Sequence, residues 1–315
     1  MALRLAAVLT KSSGRPLPSL RKLRPRFMAT TPTSFKTGKP HGPMHQRGEY
    51  LEEPPRNLKD LEFSLKNGVA TIKLDRPHRL NALSEDMAES LMRLCEYMTA
   101  APVEKVRVCV VTGGTRAFST GRDLKDSKLH TTLEKRERYM KLALDSVMAV
   151  HRLPLPTIAC LSGPAFGWGL ELALACDLRV AHPASLLCLP ETSLGIFPGA
   201  GGVVLLREVV SPSIAKDLIF TARRFSGTDA LSLGVVNRVS PNVEENAEEL
   251  AQCIAENGPL GVRGAKEVME GAHNVDFGTA MALARQLRAP LSETEDFKEA
   301  LQAFEEKRKP TFRGR

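Results

Sequence analysis

Two short apolar runs that end in glycine constrain the fold of this chain more than any other feature. Residues 106–114 read VRVCVVTGG, and residues 156–163 read PTIACLSG. Each run has the length of a buried strand, and helical segments follow both of them along the chain. Strands that alternate with helices predict an α/β fold built on a mainly parallel sheet. In such folds the loops at the strand ends are the usual place for chemistry.

The flanking segments extend this pattern in both directions. Residues 61–75 contain two alternating runs around Asn67 and Gly68, which predicts a β-hairpin. Ser84 can cap a helix whose apolar residues recur on one face. From about residue 242 onward, the apolar spacing is helical.

The basic charge of the chain is confined to its N-terminus. The formal net charge is +8, but residues 1–48 hold ten Lys and Arg, which leaves 34 basic against 36 acidic residues from Glu49 onward. The body is therefore close to neutral, which argues against nucleic acid as a partner. The first residues are rich in Arg, Ser and Thr and lack acids, which is typical of a mitochondrial transit peptide and less so of a plastid one. A basic disordered tail is the alternative.

These features divide the chain into three predicted regions. Residues 1–55 form the transit peptide and a Pro/Gly-rich disordered linker, residues 56–256 the core, and residues 257–315 a C-terminal helical region. No stretch of about 18 apolar residues occurs, so we expect no membrane span. The six cysteines form no CxxC pair and lie in apolar segments, which indicates reduced core residues without a disulfide framework or a zinc site.

Two acids are the strongest candidates for chemistry. Walker A, GxSxG and HExxH motifs are absent, and the histidines show no metal spacing. Glu171 interrupts the apolar run GPAFGWGLELALACDLRV, and Glu191 follows Pro190 at the end of a short predicted strand. Structural alternatives are a helix N-terminal acid and a turn acid. Two carboxyls in one poorly hydrated pocket would have separated pKa values and could move a proton on and off carbon, with water between them.

At these motifs the sequence resembles the crotonase, or enoyl-CoA hydratase/isomerase, superfamily. The resemblance covers about residues 60 to 315 and rests on five motifs in order: AFSTGRDLKD, GPAFGWGLELALACDLRVA, LPETSLGIFPGAGG, ALSLGVVNRV and EDFKEALQAFEEKRKPTF. It implies an α/β fold of the crotonase type, a spiral of ββα units with a helical C-terminal trimerisation region. It also implies an acyl-CoA substrate, no separate cofactor, no metal, and a homotrimer or a dimer of trimers.

The resemblance also assigns site residues. In hydratases of the superfamily, the acid at Glu171 mainly activates water and the acid at Glu191 protonates Cα. The backbone N–H groups of Arg122 and Trp168 would form the oxyanion hole, although many relatives have Ala or Gly at the first position and Gly at the second. The Trp168 indole would either line the acyl pocket or pack behind the helix of Glu171.

Contacts to coenzyme A are expected from four residues, with solvated surface charge as the alternative for the two lysines. These residues are Arg79, Lys125, Phe304 and Lys307. Lys307 and Phe304 resemble positions that reach the coenzyme of a neighbouring subunit.

The expected activity is hydration of a 2-enoyl-CoA thioester in mitochondrial fatty-acid or branched-chain amino-acid breakdown. Retention of both Glu171 and Glu191 favours a hydratase over the alternatives on the same fold, an enoyl-CoA isomerase or another acyl-CoA lyase. A further alternative is a catalytically weakened relative that binds RNA or a partner protein. The near-neutral charge from Glu49 onward and the retention of both acids argue against it.

Overall fold

The computed structural model describes residues 53–123 and 132–315. The predicted transit peptide, most of the linker and Lys125 lie outside the described residues.

Nine short strands form two sheets in this part of the chain. In chain order they are β1 (Leu61–Lys66), β2 (Val69–Leu74), β3 (Val108–Thr112), β4 (Thr157–Leu161), β5 (Ala165–Phe166), β6 (Leu178–Ala181), β7 (Leu186–Cys188), β8 (Phe225–Ser226) and β9 (Arg238–Val239). The first sheet has the order β1-β2-β3-β4-β6-β9, and the second has the order β5-β7-β8.

The first sheet confirms the predicted topology. β1 and β2 form the expected antiparallel hairpin, and every other neighbouring pair in this sheet is parallel. At the hairpin turn, Asn67 and Gly68 have φ angles of 52° and 79°. Two consecutive positive φ angles are what a two-residue type I′ turn requires, and Asn-Gly adopts them readily.

Ten α-helices surround the sheets within the described ranges. They are α1 (Glu85–Ala100), α2 (Leu133–His151), α3 (Trp168–Ala175), α4 (Gly202–Val209), α5 (Pro212–Thr221), α6 (Gly227–Ser232), α7 (Val243–Ala255), α8 (Pro259–Gly271), α9 (Phe277–Arg288) and α10 (Glu295–Glu305).

Helix α1 illustrates how the sequence sets these elements. The Ser84 hydroxyl accepts a hydrogen bond from the Met87 N–H at 3.0 Å, which is the expected N-cap. Met87, Leu91 and Leu94 recur on one face and are fully buried against the first sheet and its neighbours. The apolar period therefore directs the helix onto the core.

The small second sheet positions the elements that hold the candidate acids. β5 pairs in parallel with β7, with Phe166 opposite Cys188. The Gly167 N–H then donates to the Cys188 carbonyl at 3.0 Å. Since α3 begins directly after β5, this pairing places the start of α3 beside the segment that follows β7.

The C-terminal helices present apolar side chains to solvent. α9 buries none of its residues, and α10 buries only Asp296 and Ala303. Their exposed apolar side chains include Phe277, Met281, Leu301 and Phe304. Across the described residues, no helix has the length and apolar character needed to cross a membrane.

The cysteines are free, and five of the six are buried as predicted. Cys253 is the exception, because its side chain on α7 is exposed and not in the core. The apolar face of α7 consists instead of Val243, Ala247, Leu250 and Ala251.

Candidate active site

Glu171 lies in the first turn of α3, where its carboxylate is buried. The residue is 2% exposed, and its Oε1 accepts hydrogen bonds from the Ala200 N–H at 2.8 Å and the Gly202 N–H at 2.9 Å. These amides lie at the start of α4, whose N-terminal dipole favours a negative charge. Glu171 is therefore held between the N-terminal ends of two helices.

Burial dominates the ionisation of Glu171. Loss of solvent raises its pKa to about 7, the Gly202 amide opposes this rise, and the charge of Glu191 adds to it. A carboxyl with such a pKa is present in both protonation states near neutral pH, which suits proton transfer.

Glu191 lies in the 3-10 helix Pro190–Leu194, immediately after β7. Its side chain is half-buried, and its Oε2 is buried with no hydrogen-bond partner in the described structure. Burial raises the pKa of this carboxyl, while its own backbone amide and then Arg122 act in the opposite direction. Burial thus favours the neutral form of both acids.

The two acids meet as the sequence predicted, and Gly167 marks their meeting point. Gly167 caps α3, and its carbonyl accepts a hydrogen bond from the Glu171 N–H at 2.9 Å. A Cβ at Gly167 would lie 2.8 Å from Glu191 Oε1. The missing side chain therefore allows the Glu191 carboxyl to lie against the start of the helix that holds Glu171.

The turn at Gly121 brings the first predicted oxyanion donor beside the second. Gly121 has a φ of 95°, and a Cβ built there would lie 2.9 Å from the Phe166 carbonyl oxygen and 3.6 Å from the Trp168 nitrogen. As the first residue of α3, Trp168 has a backbone N–H with no acceptor within its own helix. No described residue accepts a hydrogen bond from the N–H of Arg122 or Trp168.

The Trp168 indole packs in the core, which decides between its two predicted positions. The residue is 1% exposed, and its Nε1–H donates to the Ala143 carbonyl at 3.2 Å and to the Ser146 hydroxyl at 3.3 Å. Both acceptors belong to α2. The side chain is thus a packing contact between α3 and α2, and the pocket-wall alternative is wrong.

The Arg122 side chain extends toward α2 and remains near the acids. Its guanidinium carbon lies 4.7 Å from the centroid of the Tyr139 ring, and its Nη1 lies 2.7 Å from Met140 Sδ. Its charge acts to lower the pKa of both Glu171 and Glu191. The structure therefore places a cation beside the two acids.

The predicted coenzyme contacts are more dispersed. Arg79 ends a 3-10 helix near the Gly121 turn, with its Nε 3.8 Å from an Asp123 carboxylate oxygen. Phe304 is 84% exposed on α10, and Lys307 follows that helix in an exposed position. Lys125 lies outside the described residues. Among the described residues, no contact joins Arg79, Phe304 or Lys307 to the acids, and the roles of all four residues stay predictions.

Sequence reasoning missed the amides that hold Glu171. The motif LPETSLGIFPGAGG contains Ala200 and Gly202, and its glycines offered a signal. A Cβ at Gly202 would lie 2.8 Å from Glu171 Cγ, so only glycine allows this approach. The donors are backbone atoms, however, and side-chain identity does not reveal which amides will point at a carboxylate.

The fold and the site together define an α/β protein equipped for acid–base chemistry at carbon. The Glu191 carboxyl lies against Gly167, at the start of the helix that holds the buried Glu171, and two backbone N–H groups without an acceptor among the described residues lie at the adjoining turns. Such N–H groups can hold an oxyanion without reorganisation, and carboxyls with raised pKa values can exchange protons with a neighbouring carbon.

Comparison with known proteins agrees with this description. The family model for enoyl-CoA hydratase/isomerase matches residues 64–315. A putative enoyl-CoA hydratase/isomerase of Bacillus subtilis, YngF, is 38% identical over 256 residues, which cover 80% of this chain and 97% of the relative. A probable mitochondrial enoyl-CoA hydratase 2 of Arabidopsis thaliana is 36% identical over 79% of this chain and 82% of its own length.

The crystal structure of an enoyl-CoA hydratase from Bacillus anthracis superposes with a TM-score of 0.79 at 36% identity, covering 82% of this chain and 100% of that one. The chain belongs to the enoyl-CoA hydratase/isomerase family, and its crotonase-type fold is confirmed.

Proposed function

We propose that this protein is an enoyl-CoA hydratase, which adds water across the 2,3 double bond of an enoyl-CoA thioester. The observation that carries the proposal is the pairing of Glu171 and Glu191 at Gly167, with the pKa of each raised by burial. Hydration needs one group to take a proton from water and another to deliver a proton to Cα. Two carboxyls in one site provide both groups.

In this mechanism Glu171 reacts from its ionised form, which is populated near neutral pH because its pKa is about 7, and Glu191 reacts from its protonated form, which burial favours. Glu171 takes a proton from water as the water oxygen bonds to Cβ, and the electrons of the double bond move onto the thioester as an enolate. Glu191 then transfers its proton to Cα. The acids end in exchanged protonation states, and proton exchange with solvent restores them.

The enolate oxygen would accept hydrogen bonds from the Arg122 and Trp168 backbone N–H groups. The Gly121 turn and the start of α3 hold these donors in place before substrate binds. Preorganised donors of this kind contribute on the order of 10²-fold or more to catalysis. Because the donors are backbone groups, the unusual side chains at both positions leave the hydrogen-bonding capacity intact.

Loss of absorbance of the conjugated thioester tests the activity directly, with a series of 2-enoyl-CoA esters as substrates. Glu171→Gln and Glu191→Gln should each lower kcat by at least about 10²-fold. The double variant should lose much less than the product of the two single losses, because the acids act as a unit.

Near-full hydratase activity in either single variant would contradict the two-acid mechanism. An isomerase, the alternative on the same fold, would then be tested by conversion of 3-enoyl-CoA to 2-enoyl-CoA. An isomerase needs only one group to carry a proton between two carbons, so one of the two variants would remain active.

We further propose a mitochondrial location and a trimeric assembly, or a dimer of trimers. The composition of residues 1–48 and the mitochondrial relative named above support the location. The exposed apolar side chains of α9 and α10 support the assembly, since burial of such a surface stabilises an oligomer. Finding Met1 or Ala2 at the native N-terminus would contradict import, and a monomer in sedimentation would contradict assembly.

The pathway served would be fatty-acid or branched-chain amino-acid breakdown. Activity with straight and branched enoyl-CoA esters distinguishes the two.

A further inference from the structure

The Arg122 guanidinium packs against buried side chains, while no described residue accepts a hydrogen bond from its Nε–Nη2 edge. Its face stacks on the Tyr139 ring, and its Nη1 is directed to Met140 Sδ. The ring is itself fixed, because Tyr139 is 1% exposed and its hydroxyl donates to the Leu83 carbonyl at 2.8 Å. The orientation of the guanidinium is therefore determined by the core.

The remaining edge of the guanidinium consists of Nε and Nη2. Nε is buried with no hydrogen-bond partner, and no described residue accepts from Nη2. These two nitrogens point their N–H bonds in the same direction. That parallel pair is the fork that binds the two oxygens of a carboxylate.

The two acids of the site do not occupy this fork. No described carboxylate lies within 4.0 Å of the Arg122 nitrogens. Glu191 Oε2 is buried without a hydrogen-bond partner although it is close enough to sense the charge of Arg122. Glu171 Oε1 accepts hydrogen bonds from the amides of Ala200 and Gly202.

A cation in this position needs compensation. A buried donor without an acceptor destabilises the protein, and arginine cannot relieve the cost by losing its proton. The neighbouring Asp123 illustrates the usual arrangement, since it pairs with Arg76 at 3.0 Å. Arg122 is thus a cation whose buried Nε has no acceptor among the described residues.

We propose that the Arg122 guanidinium binds a carboxylate carried on the acyl chain, so that the preferred substrate is the 2-enoyl-CoA thioester of a dicarboxylic acid. This inference rests on the proposed function for the identity of the site as an acyl-CoA site. The backbone N–H of Arg122 would hold the thioester oxygen while its side chain binds the far end of the same acyl group. The backbone of Arg122 would thus contribute to catalysis, and its side chain would select the substrate class.

Binding of saturated thioesters tests the inference without relying on catalysis. Calorimetry would compare adipoyl-CoA, which ends in a carboxylate, with hexanoyl-CoA, which has the same chain length and no charge. We expect adipoyl-CoA to bind about tenfold to a hundredfold more tightly, because a hydrogen bond to a charged group contributes that much to affinity. In Arg122→Met the ratio should fall to one or below, with hexanoyl-CoA still bound.

Three controls sharpen the test. Arg122→Lys retains the charge but lacks the fork, and should keep only part of the preference. Arg224→Met removes another cation, one that stacks on Phe166 at 5.3 Å, and should leave the ratio unchanged. Unaltered thermal midpoints and retained hexanoyl-CoA binding would establish that the variants are folded.

Hydration rates separate the two proposals. Wild-type protein should show a higher kcat/KM for hex-2-enedioyl-CoA than for hex-2-enoyl-CoA, and Arg122→Met should reverse this order. A wild-type preference for the uncharged thioester, or an unchanged binding ratio in Arg122→Met, would overturn the inference. Hydration of neither substrate, together with the expected binding ratio, would overturn the proposed hydratase and leave carboxylate recognition standing.

Discussion

Replacing Glu171 with glutamine should make the protein more stable and nearly inactive, and the gain in stability should depend on pH. Burial raises the pKa of Glu171 from an ordinary 4.5 to about 7. Between these values the native state binds more protons than the unfolded state, so the stability of the wild-type protein falls as pH rises. The loss is complete above about pH 7.

The size of the effect follows from the same two values. The separation between 4.5 and about 7 corresponds to about 3 kcal/mol in the free energy of unfolding. Glu171 is 2% exposed, so solvent screens little of this penalty. Glutamine is nearly isosteric, and its Oε1 can still accept from the Ala200 and Gly202 amides. We therefore expect Glu171→Gln to gain about 3 kcal/mol at pH 8 and less than about 1 kcal/mol at pH 5.

Urea unfolding at pH 5 and pH 8 measures both differences. Glu249→Gln, which removes an exposed carboxyl on α7, provides the matched control for the substitution itself. An equal effect of Glu171→Gln at the two pH values would refute the reasoning, as would a loss of stability at pH 8. The first outcome would mean that Glu171 titrates alike in the folded and unfolded chains.

Three further substitutions test residues that support the site and the fold. Trp168→Phe removes the buried indole N–H, whose hydrogen bond is shared between two acceptors on α2, and should cost about 1–2 kcal/mol in urea unfolding without altering the acyl chain-length profile. Gly121→Ala forces a side chain onto a φ of 95° and against the Phe166 carbonyl, and should lower kcat/KM by at least about tenfold by displacing the oxyanion turn. Lys266→Met leaves Asp177 without its ion-pair partner at 2.7 Å, and should lower the thermal midpoint through a loss of about 3 kcal/mol.

Local chemistry made the main sheet and most helices predictable. Local sequence preferences predicted three features that the structure contains. They are the turn at Asn67-Gly68, the helix cap at Ser84 and the two strands that end in glycine. The second sheet was not predicted, because β5 and β8 have two residues each and carry no periodicity. These strands form because they pair with segments that are distant in the sequence.

Helix α5 was also missed, although Pro212 at its first position is a standard starting residue. The same limit applies within the site. Both acids were identifiable because charged residues stand out in apolar sequence. The amides at Ala200 and Gly202 were not, since any residue carries a backbone N–H and only the folded chain decides where it points.

The side chains of Arg122 and Trp168 indicate how backbone donors free a site to vary. When main-chain N–H groups bind the oxyanion, the side chains of the same residues are not needed for that interaction and can vary. Trp168 uses this freedom for packing, with its indole hydrogen-bonded to α2. The Arg122 side chain packs on Tyr139 of α2, and its buried Nε has no partner among the described residues. In the proposed mechanism, backbone donors thus let the Trp168 side chain serve stability and the Arg122 side chain bind the substrate carboxylate, while the two glutamates carry out the reaction.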